Sequence, residues 1–452
     1  MHLARDLARF VVAYPVEDIP SEALERAEMV IASTLASVAM GVSIESAKII
    51  RNLAKEDGGK PESTVWFDDA KLPINAAAKC NAVASDAAAS DDSDMRSIAH
   101  IGTIVSTTAV ATAERVGSSG LEVLQAMVLG YEVAGRIDES LTPGRMQRGF
   151  HGSVSTVFGG TVAVGKLLGL TETQMAHAIG LAATSIGGMA IAADTSWARE
   201  YHAAMSAMSG VMAAQAAQRG FEVELGVLEA KRGFLSAMGG VSIEDINADF
   251  GASWDICTDM AIKLMPGAHP FHAIAEAAEM AAISGDVNPE DIEQVVISAA
   301  QMKDWMAPNH PRDLIGAAHS VVYFVAAAIV DRGFTWVHMR PEKMVDPVIA
   351  QLQNKVVFDQ NPTPLPDRFT HRHGGTVTIK LRNGSVISRT CKAAKGHSQR
   401  GVTWSEVDEK FLTLTAQSGI AAPRANSILN VVHGFRKLGS VTSLTELLQE
   451  KG

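Results

Sequence analysis

The sequence predicts a mainly α-helical protein in which a smaller α+β domain interrupts a run of helices. Three observations predict it. The first half is a series of Ala-, Met-, Gly- and Leu-rich segments with helical periodicity. After about residue 262 the order becomes strand, helix and hairpin, and helical patterning returns from about residue 404.

In chain order, Ser21 is a candidate N-cap for SEALERAEMVIASTLASVAMG. Glu22 and Glu25 suit the positive end of its dipole, and Gly41 follows its last apolar residues. GLEVLQAMVLGYEVAGRI, ETQMAHAIGLAATSIGG and HAAMSAMSGVMAAQAAQRG repeat the pattern. Their small residues allow close helix–helix approach, and alanine favours helix directly. Pro266 and Pro270 then break KLMPGAHPFH, and a helix is expected over about 271–285. IEQVVISAA alternates as a strand does, and AAHSVVYFVAAAIVDRG reads as a helix. TVTIKLRNGSVISRTCK reads as two strands around an Asn383-Gly384 turn. SEVDEKFLTLTAQ and NSILNVVHGFRKLG are helical, and this C-terminal segment is expected to pack back on the first domain.

Bulk properties narrow the function. A chain of 452 residues suggests two or three domains. With 47% hydrophobic and 20% charged residues it can bury a large core and lacks the composition of a disordered protein. A net charge of -11 provides no basic field for nucleic acid, so a small anionic ligand needs a local basic pocket. Cys80, Cys257 and Cys391 are isolated, which fits a reducing compartment and no cysteine-rich metal site. The N-terminus lacks a secretory h-region, and no run of 18 apolar residues suggests a membrane span; the cytoplasm is the expected location. HExxH, P-loop, GxGxxG-after-strand and GxSxG patterns are missing, and HRH at 371–373 reads as a loop.

Several residues could carry chemistry. His100 follows the acidic cluster Asp91, Asp92 and Asp94; it could exchange a proton near neutral pH, or be a loop histidine beside a solvated acidic face. His151, in RGFHGSVST, precedes small residues whose amides could meet an anion; the alternative is a buried histidine at a helix start. Lys263 and His272 bracket the proline-rich turn, and Lys263 could pair with a substrate carboxylate or be an ordinary surface lysine. Arg199 and His202 lie in WAREYHAAM, and Tyr323 lies in HSVVYFV, where a core aromatic is as good a reading.

Seven segments, in order, resemble the MmgE/PrpD family. They are NAVASDAAASDDSD with AHIGTIVSTTAVATAE, GYEVAGRI, RGFHGSVSTVFGGTVAVGKLLGL, AREYHAAMSAMSGVMAAQAAQRGF, KLMPGAHPFHAIAEA, AAHSVVYFVAAAIVDRG, and GGTVTIKLRNGSVISR with KFLTL. The resemblance implies a large all-helical domain from residues 1–262 and 403–452, and an α+β lid from 263–402. It implies a homodimer, an active site in the interdomain cleft, no cofactor and no metal. By the same resemblance His100, His151 and Lys263 are catalytic, and Asp91, Ser93, Arg199, His202, His272 and Tyr323 bind substrate. The implied chemistry is proton transfer by His100 and His151 next to a carboxylate, with Lys263 and Arg199 offsetting the charge of an enolate-like intermediate. A 2-methylcitrate dehydratase-like lyase is the first expectation. An epimerase and a cis-aconitate decarboxylase-like enzyme are the alternatives, and outside enzymology a carboxylate-binding protein that has lost catalysis. The chain departs from the family pattern at Ala89, where an aspartate is usual, at Ser90 for phenylalanine, at Ser93 for threonine, at Gly152 for proline and at Arg199 for lysine.

Overall fold

The computed structural model describes residues 2–96, 98–185, 187–240, 244–302, 309–363, 365 and 373–450. The HRH segment therefore lies largely outside the described residues. The chain divides into two compact units, residues 1–262 with 403–452 and residues 263–402.

The first unit is helical apart from two short strand pairs. Its long helices include Ser21–Gly41, Ile74–Ala87, Ile101–Val116, Gly120–Leu141, Ser153–Leu167 and Ala198–Gln218. Most residues of the Ile101–Val116 and Ser153–Leu167 helices are buried on every side. Helices buried all round belong inside a large core, and small residues let their backbones approach. At Gly159 a Cβ would stand 3.1 Å from the Gly130 carbonyl oxygen, so glycine sets the spacing of the two helices there.

The ends of these helices follow local chemistry. Ser119 caps Gly120–Leu141 in a capping box with Glu122, and Thr403 does the same for Trp404–Gln417 with Glu406. Ser21 is different. Pro20 takes the cap position, Ser21 is the first helical residue, and its hydroxyl instead accepts from Arg436 Nη1 at 3.1 Å. The ETQMAHAIGLAATSIGG segment is helical only over Glu172–Ala182.

The C-terminal helices complete this unit. Lys410, on Trp404–Gln417, is buried and donates to Ser33 Oγ at 2.7 Å and to the Ser90 carbonyl. Arg436 forks onto Glu28, with Nε to Oε1 at 2.9 Å and Nη2 to Oε2 at 2.7 Å.

The second unit contains a four-stranded sheet in the order Val356–Phe358, Ile292–Ser298, Gly375–Leu381, Val386–Cys391. The first pair is parallel and the other two are antiparallel. Alternate residues Val295 and Ile297, and Val377 and Ile379, point into a core shared with the helices His272–Ser284 and Val321–Val330. Asn383 and Gly384 form the hairpin turn, as the sequence predicts. No single helix among the described residues is long and apolar enough to cross a membrane.

Candidate active site

The site lies in the first unit, where the loop between the helices Ile74–Ala87 and Ile101–Val116 meets the starts of two others. Within the loop, Asp92–Asp94 forms a strand antiparallel to Met260–Ile262, with Asp92 opposite Ile262. A strand of three polar residues needs partners for its side chains, and it has them for both aspartates. Asp92 accepts from Gly102 N at 2.9 Å and Thr103 N at 3.0 Å, so it caps Ile101–Val116. Burial pushes the Asp92 carboxyl up to about 6, aided by neighbouring Asp91 and opposed by His100 and the two amide donors. Asp94 pairs with buried Arg96.

This anchoring places Asp91 against His100. Asp91 Oδ2 is 2.5 Å from His100 Nδ1 and accepts from Thr103 Oγ1 at 3.0 Å. The Asp91 carboxylate is completely buried, whereas the His100 side chain keeps 12% of its surface exposed. A carboxylate on Nδ1 fixes the ring and leaves Nε2 as the nitrogen for proton exchange. Asp86 Oδ1 stands 3.5 Å from the same Nδ1.

His151 and His202 continue the row of imidazoles. The ring centroids of His100 and His151 are 6.4 Å apart, and those of His151 and His202 are 5.4 Å apart. Burial above all, with the His100 and Arg145 charges nearby, holds His151 well below the ordinary histidine range. It is therefore neutral. Ser153 N donates to its Nδ1 at 3.3 Å, which puts the ring proton on Nε2. The amides expected to meet an anion are thus already engaged: Ser153 N with the His151 ring, and Val154 N with the His151 carbonyl at 3.3 Å.

Arg199 closes one wall. Its Nε donates to Asp86 Oδ2 at 3.2 Å, its Nη2 donates to the Asp86 carbonyl at 2.7 Å, and Nη2 lies 3.6 Å from Glu200 Oε1. Ile104, Thr156 and Ala203 line the same small cavity. Asp86, Asp91 and His100 bring one donor atom each within 4.8 Å of one another, a set of metal-ligand type. Here those atoms already bond to one another, to Thr103 and to Arg199, as an acid–base pair and its supports do.

Residues 5–244 match the MmgE/PrpD N-terminal domain, and residues 265–432 match the MmgE/PrpD C-terminal domain. The chain belongs to the MmgE/PrpD family. Its relatives include human cis-aconitate decarboxylase, 25% identical over 461 aligned residues that cover 99% of this chain and 94% of the relative. Cis-aconitate decarboxylase of Aspergillus terreus is 26% identical, covering 96% of this chain and 93% of its own. The mouse enzyme of the same name is 25% identical, with 99% and 93% covered.

Within this MmgE/PrpD chain the structure assembles His100, Asp91, His151, His202 and Arg199 around one cavity or beside it. Asp91 Oδ2 stands against the His100 imidazole and accepts from Thr103 Oγ1. Arg199 is bound to Asp86 and Glu200. Ser93 is buried in its strand, and its Oγ makes no hydrogen bond among the described residues. Lys263 follows Ile262 directly and is buried, not a surface lysine. His272 and Tyr323 belong to the second unit. There His272 lines a cavity of about 280 Å³ with Glu276, Glu279 and Lys395. Tyr323 is fully buried in the core and donates its hydroxyl to the His338 carbonyl at 2.7 Å.

Sequence reasoning missed Asp86, Glu200 and Gly188. Burial lifts the Glu200 carboxyl to about 7 against the pull of Arg199. Between an unfolded value of 4.5 and about 7 the unfolded chain gives up this proton while the folded chain keeps it, so stability falls as pH rises through that window. Glu200→Gln should remove a slope on the order of 3 kcal/mol across it. Urea denaturation at pH 5 and pH 7.5 checks this, and equal pH dependence in both proteins overturns it. Gly188 accepts from His151 N at 2.8 Å, and a Cβ there would stand 2.4 Å from Ser153 Oγ and 2.9 Å from His202 Nδ1. Gly188→Ala should therefore displace the His151–His202 wall and cut kcat/KM by about 10- to 100-fold, with little change in Tm. Unchanged kcat/KM would remove Gly188 from the site.

Proposed function

We propose that the chain is a lyase that works by acid–base chemistry on a small carboxylic acid, and that decarboxylation is its reaction. The observation that carries this reading is His100 held through Nδ1 by buried Asp91, beside a neutral His151 in the same cavity. In a decarboxylation the bond between the skeleton and one carboxylate carbon breaks. CO2 leaves uncharged, and the electron pair passes into an adjacent double bond conjugated with a second carboxylate. A carbon of that enolate-like system must then take up one proton. His100 Nε2 delivers it, and Asp91 offsets the charge of the imidazolium before delivery. The dry surroundings that keep His151 neutral also favour loss of a charged carboxylate as neutral gas. His151, with its proton on Nε2, offers a hydrogen bond to the developing enolate.

The relatives named above are decarboxylases, which supports this reaction ahead of 2-methylcitrate dehydration, the first expectation from sequence. Lys263 is assigned to a substrate carboxylate on its motif match.

The test is proton NMR in D2O with EDTA present, on a panel of cis-aconitate, 2-methylcitrate, citrate and unsaturated dicarboxylic acids. Loss of CO2 with one deuteron gained per turnover is the expected result. Release of water with an alkene product would restore the dehydratase. Saturable binding without any C–H exchange or product would make the chain a carboxylate-binding protein.

A further inference from the structure

Arg199 stands where lysine is usual in the family, and its guanidinium is already spent on the protein. Two of its nitrogens hold Asp86, one through the carboxylate and one through the carbonyl, and Glu200 lies 3.6 Å away. Only 5% of the residue is exposed. No second lysine or arginine lines this cavity among the described residues. Nearby Arg145 is itself 3.6 Å from Asp138 and donates to the Phe150 carbonyl at 2.9 Å. Asp86 lines the cavity against that guanidinium, Asp91 is paired with His100 out of the lining, and Glu200 lies behind Arg199. Apart from Asp86, Arg199 and His100 the lining is uncharged: Ile104, His151, Ser153, Thr156 and Ala203.

We propose that this wall receives an uncharged part of the substrate, and that the chain therefore selects dicarboxylic acids over tricarboxylic acids. The proposal rests on the small-acid reading above and names its substrate class. The His100 imidazolium that delivers the proton is matched by Asp91 and the Arg199 guanidinium by Asp86, so a third carboxylate laid against the wall finds no unmatched cation there. Recruiting Arg199 to it would strip Asp86 of its partner, and a buried carboxylate without a counter-charge is strongly unfavourable. A mobile lysine could divide itself between protein and ligand; a guanidinium clamped on two sites of one residue does not. Selection here comes from the lack of a spare cation for the larger anion as much as from attraction of the smaller one.

The experiment is isothermal titration calorimetry at fixed ionic strength with two saturated acids that cannot decarboxylate through an alkene, methylsuccinate and tricarballylate. The protein should bind methylsuccinate about tenfold or more tightly than tricarballylate. Asp86→Asn keeps an acceptor for Arg199 and removes one negative charge, so it should shrink the ratio to about threefold or less. The wild-type ratio decides the matter without a variant if Asp86→Asn does not fold. Tricarballylate binding as tightly as methylsuccinate, or more so, overturns the inference and leaves the small-acid reading in place. An unchanged ratio in a folded Asp86→Asn protein overturns the assignment to this wall. Methylsuccinate preference in a protein that turns over nothing upholds the inference and removes the decarboxylase reading. Binding of neither acid overturns both.

Discussion

His100→Ala should lower kcat by about 10²- to 10⁴-fold, the usual worth of a positioned acid–base group, while far-UV circular dichroism stays unchanged. His100 precedes the helix Ile101–Val116 and supplies no side-chain cap to it; Asp92 does that instead. The variant thus loses its proton carrier and keeps the helix start. Asp91→Asn should cost less, about 10- to 100-fold, because an amide still contacts Nδ1 but cannot offset an imidazolium. The two effects should not add, since Asp91 acts through His100. Rates are read as CO2 release under saturating substrate. Full activity in His100→Ala would remove the central assignment, and additive losses in the double variant would give Asp91 a separate role.

The second large effect is on stability. Arg96→Met should destabilise the protein by about 3–5 kcal/mol, as breaking a buried charge network does. Arg96 Nε and Nη2 grip Asp94 at 3.1 and 2.8 Å, Nη2 reaches Asp255 at 2.6 Å, and Nη1 reaches Glu139 at 2.8 Å. The Asp94 side chain is fully buried and that of Asp255 is 10% exposed, so the variant leaves two carboxylates without their cation. Burial already pushes the Asp255 carboxyl up despite Arg96. Without Arg96 the Asp255 carboxyl should rise further. The deficit is then present above the ordinary carboxylate range and shrinks as pH falls and Asp255 takes up a proton. Urea denaturation at pH 5 and pH 8 checks the sign. Arg96→Lys should recover only part of the loss, because one ammonium cannot span three acceptors. A deficit that grows at low pH would mean that the network is not what holds this region.

Much of the fold is legible in the residues. Long alanine-rich periodic segments become helices, and Asn383-Gly384 marks its hairpin, because local energetics and tertiary packing agree there. Disagreement appears where a residue finds a distant partner. Ser21 has the chemistry of a cap, yet Arg436 claims its hydroxyl from 415 positions away. Asp92, Ser93 and Asp94 look like a solvated acidic run, yet they form a buried strand paired with Met260–Ile262, with Asp92 capping the next helix and Asp94 held by Arg96. Three polar residues carry no alternation to reveal a strand. The parallel strand Val356–Phe358 is equally short, and its pairing with Ile292–Ser298 is not local. Within the site, the two histidines are visible through their surroundings and the family resemblance. The engagement of Arg199 by Asp86, 113 residues earlier, has no linear signature.

One hydrogen bond bears on how the active protein comes into being. Lys410 holds the carbonyl of Ser90, the residue just before Asp91, across 320 positions of chain. At a synthesis rate of about 5–20 residues per second, roughly 16–64 s separate the emergence of the two from the ribosome. During that interval the nascent first unit has its histidines but not the clasp behind the loop that orients one of them. Competence therefore waits until the chain has been made as far as Lys410, and a chain truncated just before Lys410 should yield a helical product with no turnover.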